Sequence, residues 1–465
     1  MNVYHVGVQK IDGSIIFVES VLNPHFDEEV EIIVSPTDHR RGRIVVVEGS
    51  RVGIQVFEGS TSISLTNTKT KLLGNPMQVA LSETILGRVF NGVQEPKDGL
   101  GNLLIKEKRD INSSPINPVS RVYPRNYINT GFSSIDGLTT LIRGQKLPIF
   151  SVSGVNHNRL ISDIIVNAQA DKDFCIIFCA IGIKNDTYLY FMDKFINAGI
   201  MNRTVMYINT LNDPIIERII APRCALTTAE YLAFTLNKNV LVIMSDMTAY
   251  CEALREISAS RGEIPGRKGF PGYMYSDLSS LYERAGIIKG STGSITQIPL
   301  LTMPNEDITH PIADLTGYIT EGQIVLSKEL EKNNIFPPIA ILPSLSRLMK
   351  DGIGSKYTRS DHQALANQLY ASYSRVMEIR SLAKIIGEDE LSKSEKALLS
   401  FGSFFEKHFI NQSSPRNIVT TLNLGWKLLS LLEKEDLTVT KDEYLQSFYH
   451  HEEALAYFDS LKDHE

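Results

Sequence analysis

A strand–turn–helix pattern in the string PIFSVSGVNHNRLIS has the spacing of a phosphate-binding loop but lacks the residues that bind phosphate. In a working loop, G-x-x-x-x-G-K-[ST], backbone N–H groups and the lysine contact the phosphates, and the hydroxyl side chain holds Mg²⁺. On this frame Ser151 and Asn156 replace the two glycines, His157 replaces the lysine and Asn158 the hydroxyl residue, while Gly154 keeps the turn. Histidine is shorter than lysine and largely neutral near pH 7, so it replaces that charge poorly. The string indicates a degenerate nucleotide-binding loop, although on its own it also fits an ordinary strand-to-helix turn.

A carboxylate follows a strand where phosphate-loop hydrolases hold their metal. The apolar run NVLVIMSD is typical of a buried strand and ends in Asp246, a Walker-B-like position from which aspartate helps to hold Mg²⁺. Aspartate also commonly caps the helix that follows a strand. Because the loop is degenerate, capping is the favoured role for Asp246, and no metal site is predicted.

The composition limits the classes to which the protein can belong. Of 465 residues, 43% are hydrophobic and 22% are charged, as in soluble globular proteins, and the length suggests about three domains. The net charge of −6 disfavours a general nucleic-acid binder, which needs a basic surface. The first residues do not form a secretory signal, and no apolar run approaches the roughly 20 residues that span a bilayer. Any association with a membrane is therefore expected to be indirect.

The four cysteines do not have the spacing of a metal or redox motif. None of them forms a C-x-x-C pair, and two lie in the apolar run FCIIFCAIGI. Cysteine in such a run usually behaves as a small hydrophobic residue, so we expect buried thiols in a reducing cytoplasm. They are Cys175, Cys179, Cys224 and Cys251.

The hydrophobic pattern changes twice along the chain and predicts an α/β multidomain fold. Residues 1–75 contain short strands between turn signals, which indicates a small N-terminal β-barrel. Residues 76–355 alternate buried strands with helices, which indicates a mainly parallel sheet covered by helices. In this part TTAEYLAFTLNK is predicted as a helix that begins at a capping box of Thr227 and Glu230. Residues 356–465 contain amphipathic helices and indicate a C-terminal helical bundle.

Five stretches together resemble the B subunit of V-type and A-type rotary ATPases. The resemblance spans almost the whole chain and implies that the central domain is RecA-like. It also implies a non-catalytic B subunit, three copies of which alternate with three catalytic A subunits in a ring around a central stalk. The stretches are LGRVFNG (86–92), NTGFSSIDGLTTLIRGQKLPIFSVSG (129–154), PGYMYSDLSSLYERAG (271–286), TMPNEDITHPIADLTGYITEGQIVLS (302–327) and LPSLSRLMKDGIGSKYTRSDH (342–362).

The resemblance implies the partners and ligands as well. Partners would be the A subunit in an alternating hetero-hexamer, central-stalk subunits and peripheral-stalk subunits, with no nucleic acid. The chain would hold no cofactor tightly, since Mg-ATP or Mg-ADP at the shared interface would be bound mainly by A. The ring would couple ATP hydrolysis or synthesis to H⁺ or Na⁺ transport. It would lie on the cytoplasmic face of the membrane, in contact with the membrane only through other subunits.

Two positions are interpreted through the resemblance. Arg347 in PSLSRLMK would be an arginine finger that reaches in trans into the catalytic site of A and stabilises charge on the γ-phosphate. Catalytic subunits carry a glutamate base after the strand that follows the loop. Here the register of AIGIKND puts Ile183 in that place, beside Lys184, and an alkyl group cannot accept a proton.

The segment GEDELSKSEK resembles the acidic helix–turn–helix by which ring subunits touch the central stalk. A solvated helix face is the equally good alternative, because lysines dilute the acidic run. The residues concerned are Asp389, Glu390, Leu391 and Ser392.

Other classes of protein fit the residues less well. An autonomous nucleotide hydrolase of the rotary or secretion superfamily, with an atypical phosphate loop, is the main alternative. It would ordinarily keep G-x-x-x-x-G-K-[ST], a string that is missing here. A hexameric RNA translocase would also need basic contacts, and a standalone binding protein would leave Arg347 without a purpose.

Overall fold

The N-terminal part of the chain is an antiparallel sheet. A computed structural model describes residues 4–168 and 174–462. The strands of this sheet are β1 (His5–Val6), β2 (Lys10–Asp12), β3 (Ile15–Val18), β4 (Glu28–Ser35), β5 (Asp38–Glu48), β6 (Arg51–Val56) and β7 (Lys69–Pro76). They lie in the order β1-β7-β4-β5-β6-β3-β2. Valine and isoleucine side chains from β3 to β6 form one buried cluster, and the partly buried Ile11 of β2 and Leu72 of β7 pack against it, which means that the sheet curves around the cluster.

The central part alternates strands and helices, as the sequence predicts. Its longer strands are mostly continuous apolar runs, while the strand of residues 107–110 reads EKRD, and most of its helices have one apolar face. The elements are β8 (Gln78–Leu81), β9 (Val89–Asn91), β10 (Glu107–Asp110), β11 (Arg121–Val122), α1 (Ser133–Asp136), β12 (Ile149–Ser151), α2 (His157–Asn167), β13 (Phe174–Ile183), α3 (Asn185–Asn197), β14 (Thr204–Thr210), α4 (Ile215–Glu230), β15 (Asn239–Ser245), α5 (Met247–Ser260), α6 (Met274–Tyr282), β16 (Gly286–Ile288), β17 (Ser294–Thr302), α7 (Pro311–Ile319), β18 (Gly322–Leu326), α8 (Lys328–Lys332), β19 (Ile339–Ser346) and α9 (Met349–Gly352).

The C-terminal part is helical throughout its described length. The long first helix packs against the next two, and a π-helical turn continues the second at Phe405–Ile410. The helices are α10 (His362–Ile386), α11 (Lys393–Phe404), α12 (Ile418–Leu429), α13 (Asp442–Phe448) and α14 (His451–Lys462).

The described residues form two compact units, one within 1–117 and 175–284 and the other within 118–174 and 285–465. In the first unit, besides the N-terminal sheet, β13 pairs in parallel with β14, and β14 with β9. In the second, β12 pairs in parallel with both β17 and β18, and β19 adds to β18 in the antiparallel direction. Each unit therefore gathers the carboxyl ends of parallel strands at one edge, the edge where α/β sheets bind ligands.

A buried arginine fixes α4 in the first unit. The Arg284 guanidinium is 1% exposed and donates to both carboxylate oxygens of Glu230, at 2.6 and 2.8 Å. It also donates to Thr227 Oγ1 at 2.7 Å and to the carbonyl of Ile111 at 3.1 Å. The charge is thus compensated and its donors are used, which a buried ion pair requires.

The predicted capping box at Thr227 and Glu230 is wrong. The helix begins twelve residues earlier, at Ile215, and both side chains bind Arg284 from its last turn. The run IIERIIAPRCALTTAE is buried on nearly all sides and contains Pro222, so it lacks the polar–apolar period by which a surface helix is found.

The last predicted helix is interrupted. KDEYLQSFYHHEEALAYFDSLK forms two helices because the backbone is extended at Tyr449, and the His450 N–H donates to Ser430 Oγ at 3.1 Å.

Two further expectations concern the burial of the cysteines and the presence of a membrane-spanning helix. All four cysteines are buried, as predicted. Among the described helices, none is both long and apolar enough to cross a bilayer.

We expect Arg284→Met to lower the free energy of unfolding of the first unit by about 3–5 kcal/mol, because the Glu230 carboxylate loses its buried partner. Urea denaturation followed by circular dichroism measures the loss. The matched control is Lys328→Met, which removes an exposed ion pair with Glu306 and should cost at most about 1 kcal/mol. Equal losses for the two variants would contradict the structural role of Arg284.

Candidate functional site

The five residues of the predicted loop span the junction from the end of β12 to the first turn of α2. Ser151 ends the strand, and its Oγ is 2.9 Å from His157 Nδ1, in the first residue of the helix. Asn156 caps the helix, since its Oδ1 accepts from the Arg159 N–H at 3.2 Å. Gly154 has φ +91°, and a Cβ placed there would meet no heavy atom within 4 Å. The loop has the geometry of a strand-to-helix turn that is closed by its own side chains.

The surroundings of the loop oppose bound phosphate. The backbone N–H of Asn156 donates to the Glu331 carboxylate of α8 at 3.4 Å. The adjacent cation does not serve the loop, because the Arg159 guanidinium stacks on the Phe336 ring, 3.8 Å from its centroid. A carboxylate therefore lies where a phosphate-binding loop needs net positive charge.

Arg347 follows directly after β19 and is exposed. Its backbone N–H donates to the carbonyl of Glu321 at 2.9 Å. One guanidinium nitrogen, Nη1, donates to the carbonyl of Thr320 at 3.1 Å. Backbone and side chain are thus both held by the segment that precedes β18, and the residue remains exposed.

The segment that holds Arg347 is itself held by two consecutive residues, Gln145 and Lys146. Gln145 donates to the Glu321 carbonyl at 3.1 Å and to Ser346 Oγ at 2.9 Å. The Lys146 ammonium, on a side chain that is 4% exposed, lies 2.8 Å from Glu321 Oε1, and the Lys146 N–H donates to Oε2 at 2.8 Å. Sequence reasoning gave these residues no role, although both lie in a stretch that carries the family resemblance.

A glycine sets the register of the strands at this point. Gly322 opposes Ser346 in the β18–β19 pair and has φ +142°. A Cβ at Gly322 would collide with the carbonyl oxygen of Leu345. Only glycine allows this approach, and the approach puts Arg347 one residue beyond the last pair.

Asp246 caps α5. Its Oδ1 accepts from the Thr248 N–H at 2.8 Å, immediately after β15. Ile183 is the last residue of β13, and Lys184 precedes α3 without a side-chain cap. The carboxyl ends of these strands thus carry a capping carboxylate, an alkyl group and an exposed lysine.

One polar residue at this edge was missed by the sequence reasoning. The half-buried Arg218, in the first turn of α4, lies across Gly182, with its Nε and Cζ 3.3 and 3.5 Å from the position of a Gly182 Cβ. Its buried Nε has no hydrogen-bond partner among the described residues. The sequence could have pointed to Arg218, because it follows residues 212–214, which join the end of β14 to the start of α4. Ligands in parallel sheets bind where a strand's carboxyl end leads into a helix.

The acidic segment forms a turn between two helices. Asp389 and Glu390 are exposed, Leu391 is buried, and Ser392 begins α11 through a capping box with Glu395. The predicted helix–turn–helix geometry is present, and the acidic pair lies on its outside.

No group of three or more potential metal-ligating side chains occurs within 4–168 and 174–462.

Family models match most of the chain. The ATP synthase alpha/beta family, nucleotide-binding domain, matches residues 131–346, and the C-terminal domain of V and A type ATP synthase matches residues 351–449. The chain is thus first of all a component of an ATP synthase, built on a nucleotide-binding-type domain.

Relatives and a solved structure narrow the class. The chain is 54% identical over 448 residues to the V-type ATP synthase beta chain of Halothermothrix orenii, an alignment that covers 95% of this chain and 97% of the relative. It is 50% identical over 447 residues to the B subunit of the A-type ATP synthase of Aeropyrum pernix, covering 95% and 96%. The solved structure of the ATP synthase subunit NeqB from Nanoarcheaum equitans is similar with a TM-score of 0.72 and 41% identity, covering 90% of this chain and 98% of that one.

The chain belongs to the V- and A-type branch of the ATP synthase alpha/beta family, among the proteins called the beta chain or the B subunit. The predicted family and fold class are thereby confirmed. The domain bounds and the roles of individual site residues stay predictions.

We expect Asp246→Asn to leave the thermal midpoint of the isolated chain unchanged within about 1 °C, because asparagine caps helices as well as aspartate does. Asp246→Ala should lower stability by about 1 kcal/mol, since the cap hydrogen bond is lost. Thermal denaturation of the two variants, with and without Mg²⁺, measures the midpoints. A rise in midpoint with Mg²⁺ that Asp246→Asn abolishes would indicate a metal ligand instead of a cap.

Proposed function

We propose that this chain is the non-catalytic, regulatory and structural B subunit of an A3B3 ring, in a V/A-type complex that couples ATP hydrolysis or synthesis to H⁺ or Na⁺ transport. The observation that carries the proposal is the loop in which His157 stands in the lysine position and pairs with Ser151, next to the Glu331 carboxylate. Such a loop offers phosphate no lysine charge, and its Asn156 N–H is already used by a carboxylate. Mg-ATP or Mg-ADP would therefore be held mainly by the A subunit.

Arg347 supplies the catalytic contribution of this chain in the proposal. Its planar fork stays charged and meets phosphate oxygens in pairs. An exposed guanidinium with a fixed backbone suits a finger that enters a neighbour's site, because folding has already ordered much of the residue before it meets a nucleotide.

The remaining parts of the chain have proposed places in the complex. The barrel of residues 1–75 would join neighbouring subunits at the crown, and the α/β domain of 76–355 would face the A subunits. The helical domain of 356–465 would respond to the rotating stalk, with Asp389 and Glu390 at the contact. Peripheral-stalk subunits would contact the outer surface of the ring. The ring itself would lie at the cytoplasmic face of the membrane.

The isolated chain is expected to hydrolyse essentially no Mg-ATP, because the loop lacks its lysine and Ile183 stands in the place of the base. Mixed with its A partner, it should form a ring with robust activity. Phosphate release assays on the chain, on A and on the mixture measure this. Brisk hydrolysis by the purified chain alone would favour the alternative, an autonomous hydrolase with an atypical phosphate loop.

We expect Arg347→Ala to leave the ring assembled and to slow turnover by roughly 10³–10⁵. Arg347→Lys should recover only a small part of the rate, because an ammonium group cannot replace the bidentate fork. The matched control is Arg375→Ala, which removes an exposed arginine paired with Asp436 at 3.1 Å and should retain the normal rate. Size-exclusion chromatography confirms assembly in each case, and normal turnover in an assembled Arg347→Ala ring refutes the assignment.

A further inference from the structure

We propose that a cavity between α12, α14 and the π-helical turn at Phe405–Ile410 binds a small phosphate-bearing anion. The cavity has a volume of about 360 Å³, which is within the range of small-molecule sites. It lies within the second compact unit and contains none of the loop or arginine-finger residues. Its polar lining consists of cationic groups and neutral hydrogen-bond donors, namely His408, Arg416, Thr420, Asn423, Lys427 and Tyr457.

The Arg416 side chain is half-buried, and its hydrogen-bond partners among the described residues include no carboxylate. It donates to Ser133 Oγ at 3.2 Å and to the carbonyls of Phe409 and Asn411 at 3.1 and 3.2 Å. All three acceptors are neutral, and burial lowers the pKa of Arg416. The hydrogen bonds hold the group in place, but its charge remains uncompensated, and a bound anion would stabilise it.

Lys427 is the second cation of the cavity. Its Nζ lies 3.6 Å from the centroid of the Tyr457 ring, a cation–π contact. Within the described part of the chain, no carboxylate lies within ion-pair distance of this ammonium. The ring holds the ammonium beside the cavity while its hydrogen-bond donors stay available.

A neighbouring ion pair orients the amide of Asn423. Arg359 Nη1 donates to Asn423 Oδ1 at 2.6 Å, and its Nε and Nη2 donate to the Asp361 carboxylate at 2.5 and 2.8 Å. The amide oxygen is therefore occupied, and the Asn423 N–H₂ group is the end that remains to donate. Asn423 thus adds neutral donors to the charged ones.

The charge balance favours phosphate over a single carboxylate. Two permanent cations and an imidazole line the cavity, and none of its described lining residues is acidic. An adjoining cavity, which also includes Lys427 and Asn423 in its lining, contains the acidic residue Glu453. A phosphate group carries more negative charge and more acceptor oxygens than a carboxylate, so it balances two cations more fully.

Isothermal titration calorimetry of the full chain with inorganic pyrophosphate tests the proposal. We expect saturable binding that Lys427→Gln weakens about tenfold or more, because a charged hydrogen bond is lost. The matched control Lys441→Gln, a lysine that is 75% exposed and pairs with Glu443, should change affinity by less than about twofold. Titrations with inorganic phosphate and with ADP distinguish the free anion from a nucleotide, since only a nucleotide site favours ADP over pyrophosphate.

Lysine acetylation mapped by mass spectrometry gives a second readout on the unaltered chain. Pyrophosphate should protect Lys427 and leave Lys441 reactive. Any of three results would overturn the proposal. The two substitutions could change affinity equally, millimolar pyrophosphate could give no saturable heat, or an acidic peptide could protect Lys427 where pyrophosphate does not.

Discussion

The approach of Gly322 to the carbonyl of Leu345 is the constraint on which the Arg347 site depends. It fixes the register in which Gly322 opposes Ser346, so that the chain leaves the sheet at Arg347. The carbonyls of Thr320 and Glu321 then hold that residue from the side of β18. Gln145 and the buried Lys146 bind the same segment, so three separate parts of the chain determine where one exposed guanidinium can lie.

The strand ends of the two units carry side chains that serve the local fold. Ser151 and His157 satisfy each other, Asp246 caps a helix, and Ile183 provides no base. Each substitution leaves a sound strand-to-helix junction, so the fold does not depend on bound phosphate. In the proposed ring, the catalytic contribution of this chain would come from Arg347, which would act on a neighbouring subunit's site.

The periodicity of the sequence identified most elements, because buried parallel strands and amphipathic helices have distinct patterns. It failed at α4, where an apolar run around Pro222 hides the period and the polar Thr227 and Glu230 look like a helix start. The degenerate loop was visible because its motif is local. The support of Arg347 was not, since Gln145 and Glu321 are far apart in the chain and meet only through strand pairing.

The way in which Arg347 is held has a genetic consequence. Removing its side chain would cost the hydrogen bond from Nη1 to the Thr320 carbonyl and leave the backbone bond to Glu321, so an altered copy would still fold and compete for places in a ring. In the proposed ring each copy acts on a neighbouring site, and a cell making both forms would build mostly rings with at least one silent site. Alleles at this position would therefore behave as dominant, whereas alleles that unfold the chain would be excluded from assembly and behave as recessive.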